Sequence, residues 1–459
     1  MRRDGRMGAA MSEILAAYAR RAVPRYTSYP TAPHFREDFA PATYAEWLRR
    51  ADASRPVSLY LHVPFCREVC YYCGCNMKLA ASYAPVAAYV AALHEEIELV
   101  AGLLPAGMKV SYLAWGGGTP TALSPDDLAA VMARLRRHFD FVDGAELSIE
   151  SDPRTLTAEM AARIGALGFT RASFGVQEFD PAVQLAINRI QPPEMVAEAV
   201  GNLRRAGVAR ISFDLIYGLP HQTEATLLAS IDTAAAMRPD RVALFGYAHV
   251  PWMAKKQRLI DEAALPGGAA RARQAEGAAA ALAGHGYEAI GLDHFALPED
   301  SMAVAARAGR LRRNFQGYTT DTAETLIGFG ATAIGRSPFG HVQNIAETGA
   351  WSRAVAAGVL PVAKGVAISA EDRLRGQVIE RIMCDGRVDV DAEAAALGAP
   401  SGWCVEEMAT LDEMARDGLL VRRGPVLTLT DEGRKLARVV AAVFDTYLAA
   451  GRARHSVAV

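Results

Sequence analysis

Residues Val57–Asn76 read VSLYLHVPFCREVCYYCGCN. VSLYLHV is a short run of the residue types that favour a buried strand. Directly behind it come Cys66, Cys70 and Cys73, spaced C-x-x-x-C-x-x-C, with Cys75 two residues further on. Of the six cysteines, only Cys384 and Cys404 lie outside this segment, and both read as small buried hydrophobes. A secreted disulfide framework scatters its cysteines through a short chain, whereas this clustering in a reduced compartment points to a metal site. Zinc calls for four ligands, usually from two separated pairs, and there is neither a second CxxC nor a downstream H-x-x-x-H. Three thiolates on a cubane 4Fe–4S cluster leave one iron without a protein ligand, open to a substrate. The plainer alternatives are a structural zinc or a fortuitous group of buried thiols.

Outward from this segment, residues 56–295 alternate β-branched runs with helical stretches. The predicted strands are VSLYLHV, VSYLAW, AELSIES, RASFGVQ, RISFDLIYGL and RVALFGYAHV. Between them, apolar residues recur at helical spacing over Tyr83–Leu104, Pro125–Phe139 and Pro192–Ala206. Ser124 and Thr157 are placed as N-caps, and Gly168 and Gly207 as helix ends. Strand–helix alternation implies an α/β fold with a parallel sheet and right-handed crossovers. Six units fit an open, partial (β/α)6 barrel better than a closed one of eight. The tail differs. Leu374–Cys384 and Val405–Arg416 read as helices, and DGLLVRRGPVLTLTDEGRKLARVV follows as glycine turn, hairpin and helix, a mainly helical, winged-helix-like plan. The expected division is 1–55, an N-terminal helix and arm; 56–295, the barrel; 296–365, a barrel extension and connection; and 366–459, the C-terminal domain.

The cysteine spacing, placed just after the first barrel strand, resembles the signature of the radical S-adenosylmethionine (SAM) superfamily. That resemblance implies SAM chelated at the open iron and cleaved by one electron to a 5′-deoxyadenosyl radical. Other features fall where β/α barrels keep their active sites, at the C-terminal ends of strands. Gly116–Thr121 reads GGGTPT, and its glycines let backbone approach a ligand. Glu150 ends the third strand, Gln177 ends the fourth, and Asp214 lies in the fifth. Taken singly, each is more often a cap or a surface group; converging on one rim, they suit ribose hydroxyls and a sulfonium. Arg189, by default a surface arginine, could meet a carboxylate. His62 alternates onto the face of Tyr60 and reads as a support for the cluster loop.

RYTSYPTA (Arg25–Ala32), SLYLHVPFC, CGCN, WGGGTPT, FDLIYGLP, YAHVP, DHFALP and RNFQGYTT together resemble the bacterial oxygen-independent coproporphyrinogen III oxidases over nearly the whole chain. The resemblance implies that Cys66, Cys70 and Cys73 bind the cluster, and that Cys75 is needed without being a ligand. It implies two SAM molecules. Tyr60, Gly117, Glu150 and Ile334 match contacts to the cluster-bound one; Tyr72, Gly118, Thr119, Gln177, Arg189, Asp214 and Ala248 match contacts to the second. Two departures stand out: Tyr72 replaces the family's Phe, and GRSPFGHVQN after Ile334 leaves the pattern. The implied reaction turns two propionates of coproporphyrinogen III into vinyls with loss of CO₂, giving protoporphyrinogen IX. Tyr60 and Cys75 are the implied catalytic residues. The resemblance also implies a flavodoxin- or ferredoxin-type electron donor, an unidentified acceptor and a monomeric enzyme. The substrate's four carboxylates make Arg25 and Arg313 candidate contacts, against the plainer reading of surface or structural arginines. RYTSYPTA becomes a substrate-covering arm. The rival readings are a radical SAM tetrapyrrole methyltransferase that breaks down haem, and a non-catalytic haem chaperone. Chaperone relatives usually lack the second cysteine of CGC and the arm.

The bulk properties agree with a globular protein: 459 residues, 51% hydrophobic, 22% charged, net charge −2. That balance gives no general attraction to nucleic acid or an anionic membrane. The winged-helix pattern raises DNA binding, but Glu406, Glu407, Asp412 and Glu413 offset the basic Arg422, Arg423, Arg434, Lys435 and Arg438. Residues 1–21 are basic, yet carry Asp4 and Glu13 and no signal-peptide core. They read as a leading helix, with Met7 or Met11 as possible starts, and the expected location is the cytoplasm.

Overall fold

The structure, a computed structural model, describes residues 14–448 apart from residue 16. Most of the leading segment, with Met7 and Met11, lies outside the described residues. All six expected strands form: β1 (Val57–Val63), β2 (Lys109–Gly117), β3 (Asp140–Ser151), β4 (Arg171–Gln177), β5 (Arg210–Tyr217) and β6 (Arg241–Gly246). They lie side by side in chain order, every pair parallel. The intervening helices are α1 (Ala84–Ala101), α2 (Pro125–His138), α3 (Ala158–Ala166), α4 (Pro193–Arg205) and α5 (Glu224–Ala236). Capping sets their starts: Ser124 Oγ accepts from Asp127 N and Thr157 Oγ1 from Met160 N, each at 3.1 Å. Gly168 and Gly207 follow helix ends at φ +82° and +90°, where a side chain would be strained.

The sheet does not stop at six strands. After α6 (Gly268–Gly284), β7 (Glu288–Ile290) and β8 (His294–Ala296) add antiparallel beyond β6. On the other flank, β9 (Leu326–Phe329) pairs parallel with β1, and β10 (Ile334–Ser337), β11 (Gly340–Asn344) and β12 (Val362–Ala367) continue antiparallel. The order is β12-β11-β10-β9-β1-β2-β3-β4-β5-β6-β8-β7, with seven parallel strands at its centre. The residues expected to connect the barrel to the tail therefore also build one wing of its sheet.

A buried polar network closes the end of the strands opposite the cysteine loop. Arg171 and Arg241 open β4 and β6. Asp300, which caps the helix Ser301–Arg307, accepts from Arg171 Nη2 at 2.8 Å and Arg241 Nε at 2.7 Å. Glu146 of β3 takes the other side of Arg171 at 3.2 Å. Burial of these charges is tolerated because each faces an opposite one.

The C-terminal residues pack round a separate apolar core. α7 (Ala370–Asp385) and α8 (Val405–Arg416) adjoin a three-stranded sheet of β13 (Arg387–Asp389), β14 (Leu420–Arg423) and β15 (Val426–Leu429). Tyr18, Val23, Tyr26 and Tyr29 of the N-terminal segment bury their rings and branches in this core. Cys384 and Cys404 are buried, in keeping with their reading as small hydrophobes.

Candidate active site

The cysteine loop is pinched off at its base. Phe65 and Cys66 pair in parallel with Lys78 and Leu79, and the backbone bonds Lys78 N to Pro64 O (2.6 Å) and Ala80 N to Cys66 O (3.0 Å) close the neck. Its carbonyls are held from outside. Asn188 Nδ2 donates to Val69 O at 2.7 Å, Gln257 Nε2 to Tyr72 O at 2.8 Å, and Lys256 Nζ to Cys75 O at 3.2 Å. Tyr71 and Tyr72 rest on an apolar patch that includes Val183, Ile187, Leu219 and Tyr247.

Each thiol has a distinct neighbour. Cys66 Sγ and Thr119 Oγ1 share a contact of 3.5 Å; Cys70 Sγ accepts from Arg154 and Arg189, both at 3.4 Å; Cys73 Sγ accepts from Cys75 N at 3.4 Å. Burial pushes the Cys66 thiol up to about 11, while the hydrogen bond with Cys75, then Lys256, draws Cys73 down to about 6. Cys75 itself is exposed. Among the described residues, no three His, Cys, Asp or Glu side chains converge as ligands of a single ion do. Ligands of a cubane bind separate irons and stand further apart, so the loop's chemistry still suits a cluster.

The three glycines of GGGTPT are each required by a different neighbour. A methyl on Gly116 would lie 2.9 Å from Glu150 Oε1, one on Gly118 2.8 Å from the Phe65 carbonyl oxygen, and one on Gly117 2.7 Å from the His62 ring. Gly117 also sits at φ +117° and donates its N–H to Glu150 Oε2 at 3.1 Å. His62 shares a 3.1 Å hydrogen bond with Tyr60 OH on the same strand face, and burial lowers its imidazole to about 4. Tyr60 pairs in register with Gly328, where a Cβ would meet the Ile334 carbonyl at 2.9 Å, so Ile334 adjoins Tyr60 across one strand.

On the next strands, Gln177 ends β4 at φ +68°, and a Cβ on Gly175 would strike its Nε2 at 2.5 Å. Gly175 stands opposite Asp214 of β5, and its carbonyl accepts from Arg189 Nε at 3.0 Å. Gln257 bridges the carbonyls of Tyr72 and Ala248, the latter at 3.1 Å. Burial, with Asp214 adding to it, raises the Glu150 carboxyl to about 7, and burial raises Asp214 to about 6. The two groups of residues named from sequence thus occupy adjoining parts of one strand-end rim. Among the described residues, Gln177 Oε1 is buried there without a hydrogen-bond partner, an acceptor left for a ligand. Sequence reading missed Asp152 and Arg154. Asp152 accepts from Arg154 at 2.7 Å and Arg189 at 3.3 Å, orienting both guanidiniums beside Cys70. The polar run SDPR, starting at the last residue of β3, was the available signal.

A parallel β/α sheet with a three-cysteine loop after its first strand and a glycine cradle after its second defines a radical SAM enzyme, a class built on a 4Fe–4S cluster and SAM. The profile described as Radical SAM superfamily matches residues 60–234. The chain is 48% identical over 448 residues to the oxygen-independent coproporphyrinogen III oxidase of Bradyrhizobium diazoefficiens, covering 98% of this chain and all of the relative. It is 45% identical to the anaerobic coproporphyrinogen III oxidase 1 of Cereibacter sphaeroides, over 93% of this chain and 94% of the other. The solved coproporphyrinogen III oxidase of Escherichia coli, described as a radical SAM enzyme, superimposes with a TM-score of 0.89 at 37% identity, over 93% of this chain and 100% of that one. The chain belongs to the family of oxygen-independent coproporphyrinogen III oxidases.

Proposed function

We propose that this chain oxidatively decarboxylates two propionates of coproporphyrinogen III to the vinyls of protoporphyrinogen IX, without oxygen, in haem biosynthesis. The observation that carries the reading is end-to-end likeness to the oxidases joined to an intact site: cysteine loop, glycine cradle and arm. Cys66, Cys70 and Cys73 hold the cluster in this reading, and Cys75, beside Cys73 on the exposed side of the loop, serves the substrate side. The bound cluster and SAM together supply a carbon radical able to take a hydrogen atom from an unactivated propionate C–H bond.

The protein's own share is positioning and exclusion of water. Tyr60, Gly117, Glu150 and Ile334 frame a first SAM. Tyr72, Gly118, Thr119, Gln177, Arg189, Asp214 and Ala248 frame a second. Glu150 and Asp214, both buried and one strand apart across β4, accept hydrogen bonds from ribose hydroxyls and balance a sulfonium charge. His62 holds Tyr60 and lies against Gly117, linking cradle and strand. The substrate's carboxylates meet positive charge from the arm, the extension and the C-terminal domain. Burial, then Arg25 and Arg313 nearby, lower the Arg438 guanidinium to about 10. A chain divided at residues 55, 295 and 365 suits these roles of arm, barrel, extension and lid. Arg422 pairs with Asp412 at 2.6 Å and Lys435 with Glu432 at 2.9 Å, which supports a lid over a nucleic-acid reader. No helix among the described residues is long and apolar enough to cross a membrane. A cytoplasmic monomer fed by a flavodoxin- or ferredoxin-type donor completes the proposal.

The test is anaerobic reconstitution with iron and sulfide, then assay with coproporphyrinogen III, SAM and reductant, followed by mass spectrometry. Two successive losses of CO₂ and two hydrogens, with methionine or 5′-deoxyadenosine released, are expected. SAM cleavage that leaves the porphyrinogen intact overturns the substrate. A methylated, ring-opened product, or haem held without turnover, assigns one of the rival activities instead.

A further inference from the structure

From Tyr60 and Ile334, two residues toward the N-terminal end of β1, the same sheet face carries Arg336, which lines a cavity. Tyr60 stands opposite Gly328 and Ser58 opposite Leu326; Leu326 in turn faces Arg336, and Arg336 faces His341. Residues two apart share a strand face, so Ile334 and Arg336 point the same way, about 7 Å apart. Beside Arg336 lies a cavity of about 270 Å³ between the arm, β10–β11 and α7.

Among the described residues, three buried donor nitrogens on its lining have no hydrogen-bond partner: Arg313 Nη1, Asn314 Nδ2 and Arg336 Nε. The side chains are otherwise fixed. Arg313 Nε donates to Tyr26 O at 3.2 Å, Asn314 Oδ1 accepts from Gln316 N at 2.9 Å, and Arg336 Nη2 donates to Ala323 O at 2.7 Å. Arg313 is 8% exposed and Asn314 3%. Of the carboxylates on its lining, Glu380 is already taken by Arg312 Nε and Arg313 N, each at 2.9 Å. Glu324 turns to Arg55, and Asp372 to Ser369 and Tyr447. Buried donors without acceptors are costly, and three in one cavity, two of them on guanidiniums, make a site for an anion.

We propose that this cavity receives a propionate carboxylate of the substrate, with Arg336, Asn314 and Arg313 as its donors. This rests on the reading that the substrate is a tetracarboxylate porphyrinogen. A propionate reaches outward from the macrocycle edge, so a carboxylate held here places the ring against the face of Tyr60 and Ile334.

The experiment uses the reconstituted holoenzyme and two stable probes, coproporphyrin III and its tetramethyl ester, titrated anaerobically by fluorescence quenching. Arg336→Gln, Arg336→Lys and Asn314→Asp are compared with wild type, alongside KM for coproporphyrinogen III. Asn314→Asp keeps the acceptor for Gln316 N but turns the free donor into a like charge, so its fold is conserved even if Arg336→Gln is unstable. A lost charge-assisted hydrogen bond corresponds to about tenfold or more in affinity. The tetra-acid should weaken by about that factor in Arg336→Gln and Asn314→Asp, with KM rising in parallel; the ester should be unaffected, and Arg336→Lys should recover part of the loss. Unchanged tetra-acid binding in both variants, while wild type still turns over the porphyrinogen, overturns this site and leaves the reaction standing. Wild-type protein that neither binds the tetra-acid nor turns over overturns the reading and this site together.

Discussion

Replacing Asp300 with asparagine asks whether charge or shape closes the floor of the barrel. Asparagine keeps the volume and caps a helix as well as aspartate, so the bond from Met302 N (2.7 Å) survives. What disappears is the counter-charge shared by two buried arginines, whose side chains are 4% and 8% exposed. Glu146, at 3.2 Å from Arg171 and 4.0 Å from Arg241, is left to neutralise both. Breaking a buried ion pair by removing one partner costs about 3–5 kcal/mol. The unit built on the sheet, roughly 310 residues from β1 to β12, unfolds with an entropy of about 0.65 kcal/mol/K, so a loss of about 4 kcal/mol lowers the midpoint by about 6 °C. The assay is thermal unfolding by circular dichroism at one scan rate, with wild type and Asp300→Asn in the same cluster state at pH 7. Against the effect of burial, Arg241 and Arg171 hold the Asp300 carboxyl below the usual range. Its stabilisation is therefore present above the ordinary carboxylate pKa and lost as pH falls through the lowered one. The gap between the proteins should persist at pH 5 and shrink below about pH 4. A midpoint shift under about 2 °C at pH 7 would refute a charge-held floor.

Two more outcomes are expected. Gly117→Ala places a methyl against the His62 ring at a φ of +117°, a strain of about 1–3 kcal/mol, and should cut SAM-dependent formation of 5′-deoxyadenosine by about tenfold or more while the protein stays folded; unchanged formation counts against the cradle. The Glu150 carboxyl, raised to about 7, favours the folded state fully below its ordinary pKa and loses that advantage as pH rises through 7, so without SAM the wild type should lose up to about 3 kcal/mol between pH 4 and pH 8. Glu150→Gln should flatten that dependence of the thermal midpoint, and equal slopes would exclude the assignment.

The parallel strands β1 to β6 were legible because short β-branched and aromatic runs, several alternating in burial, recur between stretches of helical spacing, and because Ser124 and Thr157 mark helix starts as N-caps. The wing β9–β12 was not. LIGF and IGRS are four-residue strands without alternation, and β9 finds its partner β1 more than 260 residues away, through pairing that no local pattern encodes. The cysteine spacing and GGGTPT were plain at the site because thiolates and bare backbone have few other uses in that arrangement. Asp152 and Arg154 were hidden: Asp152 holds Arg154 and Arg189 beside Cys70, and such support depends on distances between strands. The floor pairs of Arg171 and Arg241 escaped for the same reason, since arginine at a strand start reads as exposed until a carboxylate is seen above it.

The shared core of the two chain ends has a consequence for biogenesis. Tyr18, Tyr26 and Tyr29 donate or share hydrogen bonds with Asp417, Asp445 and Thr446, and their rings pack among residues from Leu374 to Phe444. On the ribosome the arm emerges well before the surface that binds it. At about 5–20 residues per second, the residues that bury Tyr29 follow it by roughly 20–70 s. Throughout that interval Tyr18, Tyr26 and Tyr29 lack the core that buries their rings. The arm's three tyrosines therefore become buried only once the helices after Leu374 have been made.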